Sequence, residues 1–292
     1  MLFSALFAAF MGATAKILTA QLPVIEVVFF RSLFGTIFIA VSFFAISLKQ
    51  KGGKPFLLLL RAFFGLLSMF LFFYNVSNIS LAEAVIYSKL SPLFIVLFAF
   101  LFLNEKITKV LIFTIILGFI GMTLVMQPDN FSFEKSHIFG FLNAICAAIA
   151  FTSIKELKKY YDTRIIVLYF TLFGTIFPLI IMMISTYYEI SSSLNFIFSK
   201  FVMPENIDWF YILGLGFSSA LSQIYMTKAY GVTEASIASA MSYTVIIFSM
   251  IIGISLGDSL PNPLAIIGIC LIVFSGIIVA KLKNSKKNDL KK

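Results

Sequence analysis

The apolar residues of this chain are gathered into runs of about 18 to 23, divided by short polar breaks, and that spacing matches a helix crossing a bilayer core of roughly 30 Å at 1.5 Å per residue. Ten such runs are read at 2–19, 26–48, 56–77, 81–103, 108–126, 137–154, 164–186, 208–228, 233–256 and 262–281. They are continuous rather than alternating, which favours helices over a barrel, because a backbone in lipid must satisfy its own hydrogen bonds. Composition agrees: 60% of the 292 residues are hydrophobic, 36 of them Phe, and the mean hydropathy is +1.03. Too little polar surface is left to coat a soluble globule. The expected fold is all-α and integral to the membrane, with ten transmembrane helices and no extramembrane domain.

Positive residues are retained on the cytoplasmic side of short loops. With the N-terminus inside, the inner loops and tail hold sixteen Lys and Arg, against only Lys135 and Lys200 outside. Both termini are therefore expected in the cytoplasm, in a bacterial inner membrane. The net charge of +9 reads as topology and as attraction to anionic lipid headgroups, with no aromatic-basic pattern for nucleic acid. Ala13-Thr14-Ala15 resembles a signal-peptidase site, but no positive residue precedes the apolar run.

The hexapeptide LFGTIF stands at Leu33–Phe38 and again at Leu172–Phe177. At the same spacing of 139, Ala8, Ala9 and Lys16 fall on Ala147, Ala148 and Lys155. At a spacing of 151, Gly65, Ser68, Tyr74, Glu83, Ser88 and Ser91 fall on Gly216, Ser219, Tyr225, Glu234, Ser239 and Ser242. The chain reads as a tandem duplication: residues 1–130, residues 131–284, and a basic cytoplasmic tail at 285–292. Five spans per copy force the second copy to enter from the opposite face. Two inverted five-helix repeats are a recurrent plan of secondary transporters, in which a site near the midplane is exposed alternately.

Three stretches carry a family resemblance: PVIEVVFFRSLFG in the second span, LAEAVIYSKLSPLFIVLFAFLFLNEKIT from the fourth to the fifth, and the weaker VTEASIASAMSYTVIIFSMIIGISLGDSL in the second half. The sequence resembles the drug/metabolite transporter superfamily, specifically its ten-span members built from two EamA-type repeats. The resemblance implies a central cavity lined by the first four helices of each repeat, with the fifth and tenth at the periphery. It also implies a structural role for an Arg near position 31. The chain departs from the pattern at Lys89 and where LGDSL replaces LNEKI.

Charges inside spans are the most expensive residues to place, at about 2.5–3.5 kcal/mol near the centre. Lys16, Glu26, Arg31 and Lys89 are the candidates. Glu26, Arg31 and Lys89 face Ile165, Phe170 and Ala240 in the other copy, so the duplication is broken there. A substrate contact need exist only once, which makes these three the leading site residues. Lys89 sits among Tyr87, Ser88, Ser91 and Pro92, and Pro92 removes a backbone donor. Tyr74, Asn75, Gln223, Tyr225 and Tyr243 are further polar groups for a cavity, or interface anchors. Glu83 and Glu234 are matched; SLAE at Ser80–Glu83 fits a capping box and Gly231 is the corresponding N-cap, with gating at the cavity mouths as the alternative. Small residues along 84–91 and 235–242, and Gly118, Gly121, Gly268 and Gly276, suggest helix packing.

Cys146 and Cys270 lie within spans, and the single His, His137, sits at a span edge, so neither a disulfide frame nor a metal centre is expected. No phosphate-binding Gly-rich loop and no nucleophile-base constellation occurs. No cofactor and no enzymatic activity are expected. The reading is a secondary transporter of a small organic metabolite, amino-acid-like and anionic or zwitterionic, with Glu26 the first residue to test for a coupling proton. The alternatives are a flippase for a lipid or lipid-linked sugar and, from another class, a membrane enzyme or scaffold. Oligomeric state is left open.

Overall fold

The computed structural model describes residues 1–45, 52–78, 87–105, 107–126, 135–187, 198–255 and 262–289. Among them the regular structure is helical: α1 (Leu2–Leu18), α2 (Val24–Ala45), α3 (Pro55–Asn78), α4 (Ser91–Leu103), α5 (Lys109–Met126), α6 (Lys135–Leu157), α7 (Thr163–Tyr187), α8 (Asn206–Val232), α9 (Ala235–Met241), α10 (Thr244–Ser255) and α11 (Pro263–Asp289). Five stretches are long and apolar enough to span a bilayer: Val24–Phe44, Pro55–Asn75, Ser136–Leu157, Thr163–Thr186 and Ala235–Ile252. Leu2–Leu18, Ser91–Leu103, Lys109–Leu124 and Pro263–Ser275 are shorter apolar helices. Large hydrophobic side chains cover the outside, among them Phe44, Phe56, Phe102 and Phe210. Such a surface is stable where lipid replaces water.

Two expected spans are broken rather than continuous. Lys89 and Leu90 form a turn before α4, where Leu90 N donates to Tyr87 O and Leu93 N to Leu90 O. Pro92 in the first turn of α4 has no amide to donate, and the chain tightens to i→i−3 bonds instead. Ser242 and Tyr243 separate α9 from α10 with the same tightened bonds, Ser242 N to Ser239 O and Tyr243 N to Ala240 O. No proline stands at that second break. A second correction concerns Gly231, which lies inside the last turn of α8; the N-cap of α9 is Glu234 itself, in extended conformation. The Ser80–Glu83 box lies outside the described residues.

Helix packing is paired across the two halves. α3 lies on α6 as α1 lies on α8; α4 lies on α6 as α1 lies on α10; α3 lies on α7 as α2 lies on α8. α2 packs on α7, and α5 packs on α11. At the α2/α7 crossing a Cβ on Gly35 would stand 3.5 Å from Thr171, and one on Gly174 would collide with the Ser32 hydroxyl. These two contacts are reciprocal, because 139 residues separate Gly35 from Gly174 and Ser32 from Thr171.

Small residues set the other close approaches as well. A Cβ on Gly121 would reach Gly268 O at 2.7 Å, where α5 meets α11, and Ser275 Oγ donates to Thr114 O at 2.9 Å in the same seam. Gly121→Leu is therefore expected to lower stability by roughly 1–3 kcal/mol through overpacking. A thermal melt of detergent-purified protein would show this as a lower Tm.

The end of the bundle that the charge rule assigns to the cytoplasm is tied together by polar contacts. Glu156 holds Lys54 at 2.9 Å and Lys159 at 2.6 Å. Arg164 donates to Ser42 O at 2.9 Å and to Asp162. The hydrogen bond to Glu156 pushes the Lys54 ammonium above its ordinary pKa. Partial burial pushes the Asp162 carboxyl up, but the Arg164 amide and guanidinium outweigh it and hold the group below its ordinary value. These contacts join the α2–α3 connection to the α6–α7 connection.

Candidate functional site

A central cavity of about 250 Å³ opens between helices of both halves. α1 contributes Met11 and Ala15, α2 Val27 and Arg31, and α3 a stripe from Arg61 to Phe73. Ser88, just before the break preceding α4, Asn143 and Phe151 of α6, Phe170 of α7, and Leu215 and Gln223 of α8 complete the wall. The lining is mostly apolar and aromatic with a few polar groups, the usual makeup of a small-molecule site. Among the described residues of its wall the cations are Arg31 and Arg61, and none is a carboxylate.

Arg31 is buried and held from three sides. Its Nε donates to Ser219 Oγ at 2.9 Å on α8, a second guanidinium nitrogen meets Met69 Sδ at 2.5 Å on α3, and the group lies 5.9 Å from the ring centre of Phe170. Phe170 stands 139 residues after Arg31, the spacing that separates the two LFGTIF stretches. A cation is thus set against an aromatic face, an attraction that strengthens when water is excluded.

Gln223 lines the same cavity, with its Oε1 lacking a hydrogen-bond partner among the described residues. Lys89 is half-buried in the turn next to Ser88, and its backbone carbonyl accepts from Tyr243 Oη at 3.3 Å. Tyr243 is buried at the α9/α10 break, so the two broken segments touch. Ser91 is buried at the start of α4.

Other candidates take part in contacts away from the cavity wall. Glu26 is fully buried and one carboxylate oxygen accepts from Val202 N at 3.1 Å; the other has no hydrogen-bond partner among the described residues. Tyr87 shares a 2.6 Å hydrogen bond with His137 Nδ1. Asn75 binds the start of α6, with its amide oriented to donate to Ser136 O at 3.0 Å and accept from Gly140 N at 3.1 Å. Tyr74 packs edge-on against Phe139 at 4.7 Å. Tyr225 stacks on Phe7 of α1, with Lys228 5.7 Å from its ring. Lys16 is exposed in the last turn of α1, and Glu83 lies outside the described residues.

Two residues escaped the sequence reading. Arg61 is the seventh residue of α3 and 1% exposed, its guanidinium 4.7 Å from the same Phe170 ring centre. The signal was present: at the spacing of 151, Arg61 faces Ile212, so it too lacks a counterpart. Glu105, within the quoted LNEK, is buried and closes onto the second half. Its Oε1 accepts from Ala235 N at 2.8 Å, and its Oε2 from the Ser236 hydroxyl at 2.8 Å and, more distantly, from Ser236 N at 3.4 Å. Lys155 lies 3.3 Å from the carboxylate and donates to Thr233 O at 2.9 Å. Glu105, just past the end of α4, thus supplies the cap that α9 needs for its first amides. Among the described residues no cluster of His, Cys, Asp and Glu could hold a metal ion.

Comparison with known proteins bears on what such a cavity serves. A solved crystal structure superposes with a TM-score of 0.77 over 96% of this chain and 95% of the other, at 18% identity, which speaks to the fold alone. A pseudopaline exporter of Pseudomonas aeruginosa is 30% identical across 94% of this chain and 92% of its own length. An uncharacterized transporter of Helicobacter pylori is also 30% identical, across 95% and 93%. An S-adenosylmethionine uptake transporter of Rickettsia conorii is 24% identical, across 89% and 83%. The model of the EamA-like transporter family matches twice, over residues 1–127 and 134–281. With nearly its whole length covered by those two matches, the chain belongs to the EamA-like transporter family.

Proposed function

We propose that this chain is a secondary transporter of a small organic metabolite, amino-acid-like and anionic or zwitterionic, which it carries across the bacterial inner membrane by alternating access. The observation that carries the reading is the central cavity, whose wall comes from both halves and whose fixed charges, among the described residues, are two arginines without a carboxylate. The double family match, the reciprocal Gly35/Thr171 and Gly174/Ser32 contacts, and the paired packing support two inverted repeats of five spans each. The relatives named as a pseudopaline exporter and an S-adenosylmethionine uptake transporter support a small-molecule cargo. A volume of about 250 Å³ suits a metabolite better than a lipid-linked sugar.

The broken helix at the cavity supports the same reading, since Ser88 of the wall adjoins the turn before α4. Half-helix ends present uncommitted backbone groups to a bound molecule, and irregular backbone is tolerated at membrane depth where it faces protein or a cavity. The contacts among Lys54, Glu156, Lys159, Glu105 and Lys155 form the closed cytoplasmic side, and they must loosen when the cavity turns inward. Glu26, buried with one oxygen uncommitted, is the site for a coupling proton.

Counterflow in proteoliposomes tests the proposal. Vesicles loaded with an unlabelled amino acid or organic acid should accumulate the labelled form, whereas vesicles carrying no protein should not. Absence of counterflow across a panel of amino acids and organic acids would overturn the reading. In vesicles showing counterflow, Glu26→Gln is expected to flatten the dependence of uptake on an imposed pH gradient. An unchanged dependence would remove Glu26 from the coupling role.

A further inference from the structure

We propose that Arg61 and Arg31, set around the ring of Phe170, form an oxyanion subsite that receives one carboxylate group of the transported molecule, with Arg61 as its specificity-determining residue. This rests on the cavity being the transport site.

Arg61 stands about 9 Å along α3 from the helix start, by the rise per residue, a depth from which a long side chain can reach the interface. It does not do so: the residue is 1% exposed and its guanidinium lies on Phe170 at the cavity wall. Its Nε and both terminal nitrogens have no hydrogen-bond partner among the described residues. Gly65, one turn further on, leaves the space this requires, since a Cβ there would stand 2.5 Å from an Arg61 nitrogen and 3.0 Å from Phe170. An aromatic face offsets part of the burial of a cation but satisfies none of its donors.

The second cation deepens the asymmetry. Arg31 lies on the same ring at 5.9 Å, partly engaged by Ser219 and Met69. Asn143 lines the same wall; its Oδ1 accepts from Ser68 Oγ at 2.7 Å while its amide nitrogen has no hydrogen-bond partner among the described residues. Two like charges against one ring, with spare donors around them and no carboxylate among the described residues of the wall, repel unless an anion stands between them. A guanidinium fork matches a planar carboxylate with two parallel hydrogen bonds, which a lysine cannot reproduce. The rest of the wall is apolar or neutral among the described residues, which favours one oxyanion per ligand.

The test uses protein in phosphatidylcholine nanodiscs, melted with matched pairs that differ in a single carboxylate: butyrate against butyramide, L-histidine against L-histidinamide, and L-alanine against L-alaninamide. A carboxylate is expected to raise Tm by about 3–5 °C at saturating concentration while its amide partner gives no shift. Arg61→Gln should abolish the response and Arg61→Lys should weaken it at least tenfold in apparent affinity, whereas Lys109→Gln, on an exposed residue, should leave it intact. The wild-type comparison of acid with amide stands even if a variant fails to fold. Equal shifts from acids and amides, or no shift from any carboxylate, would overturn the subsite. So would stabilisation that appears only in phosphatidylglycerol nanodiscs and is lost in Arg61→Gln, which would assign the arginines to a lipid phosphate. Counterflow of an amino acid or organic acid whose amide stabilises the protein equally would sink the subsite and leave the transport reading standing; carboxylate stabilisation without counterflow would do the reverse.

Discussion

Arg31→Ala is expected to weaken substrate binding about 100-fold, a loss of roughly 3 kcal/mol, while leaving the fold intact. The side chain gives one hydrogen bond to Ser219 and a contact to Met69, so its removal frees a hydroxyl that can return to its own helix. It also takes a buried charge out of the membrane, which limits any loss of stability. Among the described residues the cavity would then retain Arg61 as its only cation. A purely structural arginine would behave oppositely, with Tm falling sharply and affinity per folded molecule unchanged. Melting curves and ligand titrations on the same purified sample separate the two, and Arg31→Lys should recover charge without recovering the bond geometry.

Glu105→Ala is expected to be the most destabilising single change, at about 3 kcal/mol or more. Hydrogen bonds to a charged group contribute about 1.5–3 kcal/mol each, and this carboxylate accepts two strong ones, from Ala235 N and the Ser236 hydroxyl, while facing Lys155. Its removal leaves the first amides of α9 unsatisfied in a buried place and joins the two halves less firmly. Lys155→Ala should cost less, because that side chain is 29% exposed against 7% for Glu105. Glu105→Gln keeps the acceptor oxygen and should fall between them. Equal Tm losses for all three variants would contradict this ranking.

The sequence and the structure agree where physics acts locally along the chain. Lipid requires long apolar helices, so the runs at 26–48, 56–77 and 164–186 appear as α2, α3 and α7 with ends displaced by a few residues. Pro92 marked the break before α4, but nothing comparable marks Ser242 and Tyr243, because that break depends on tightened turns rather than on a missing donor. Arg31 and Gln223 line the cavity wall, in keeping with the rule that a polar group inside an apolar span must face protein or water. Arg61 was passed over because its depth is equally compatible with reaching the interface, and only packing on Phe170 decides between the two.

Long-range pairings were the least legible part. The partners of Glu105 lie 130 residues away in another helix, and Tyr87 meets His137 across 50 residues. No periodicity or spacing within one helix encodes such contacts, so Tyr87 reads from sequence as a cavity residue and lies in the structure against α6.

Alternating access of the central cavity is the core of this account, and a single cysteine tests it most directly. Ser68→Cys, in a background with Cys146 and Cys270 replaced by serine, places a thiol on the cavity wall. If the wall faces each side in turn, a small membrane-impermeant maleimide should label it both in right-side-out and in inside-out vesicles. Labelling from one side only, under every substrate and ion condition tried, would contradict the account.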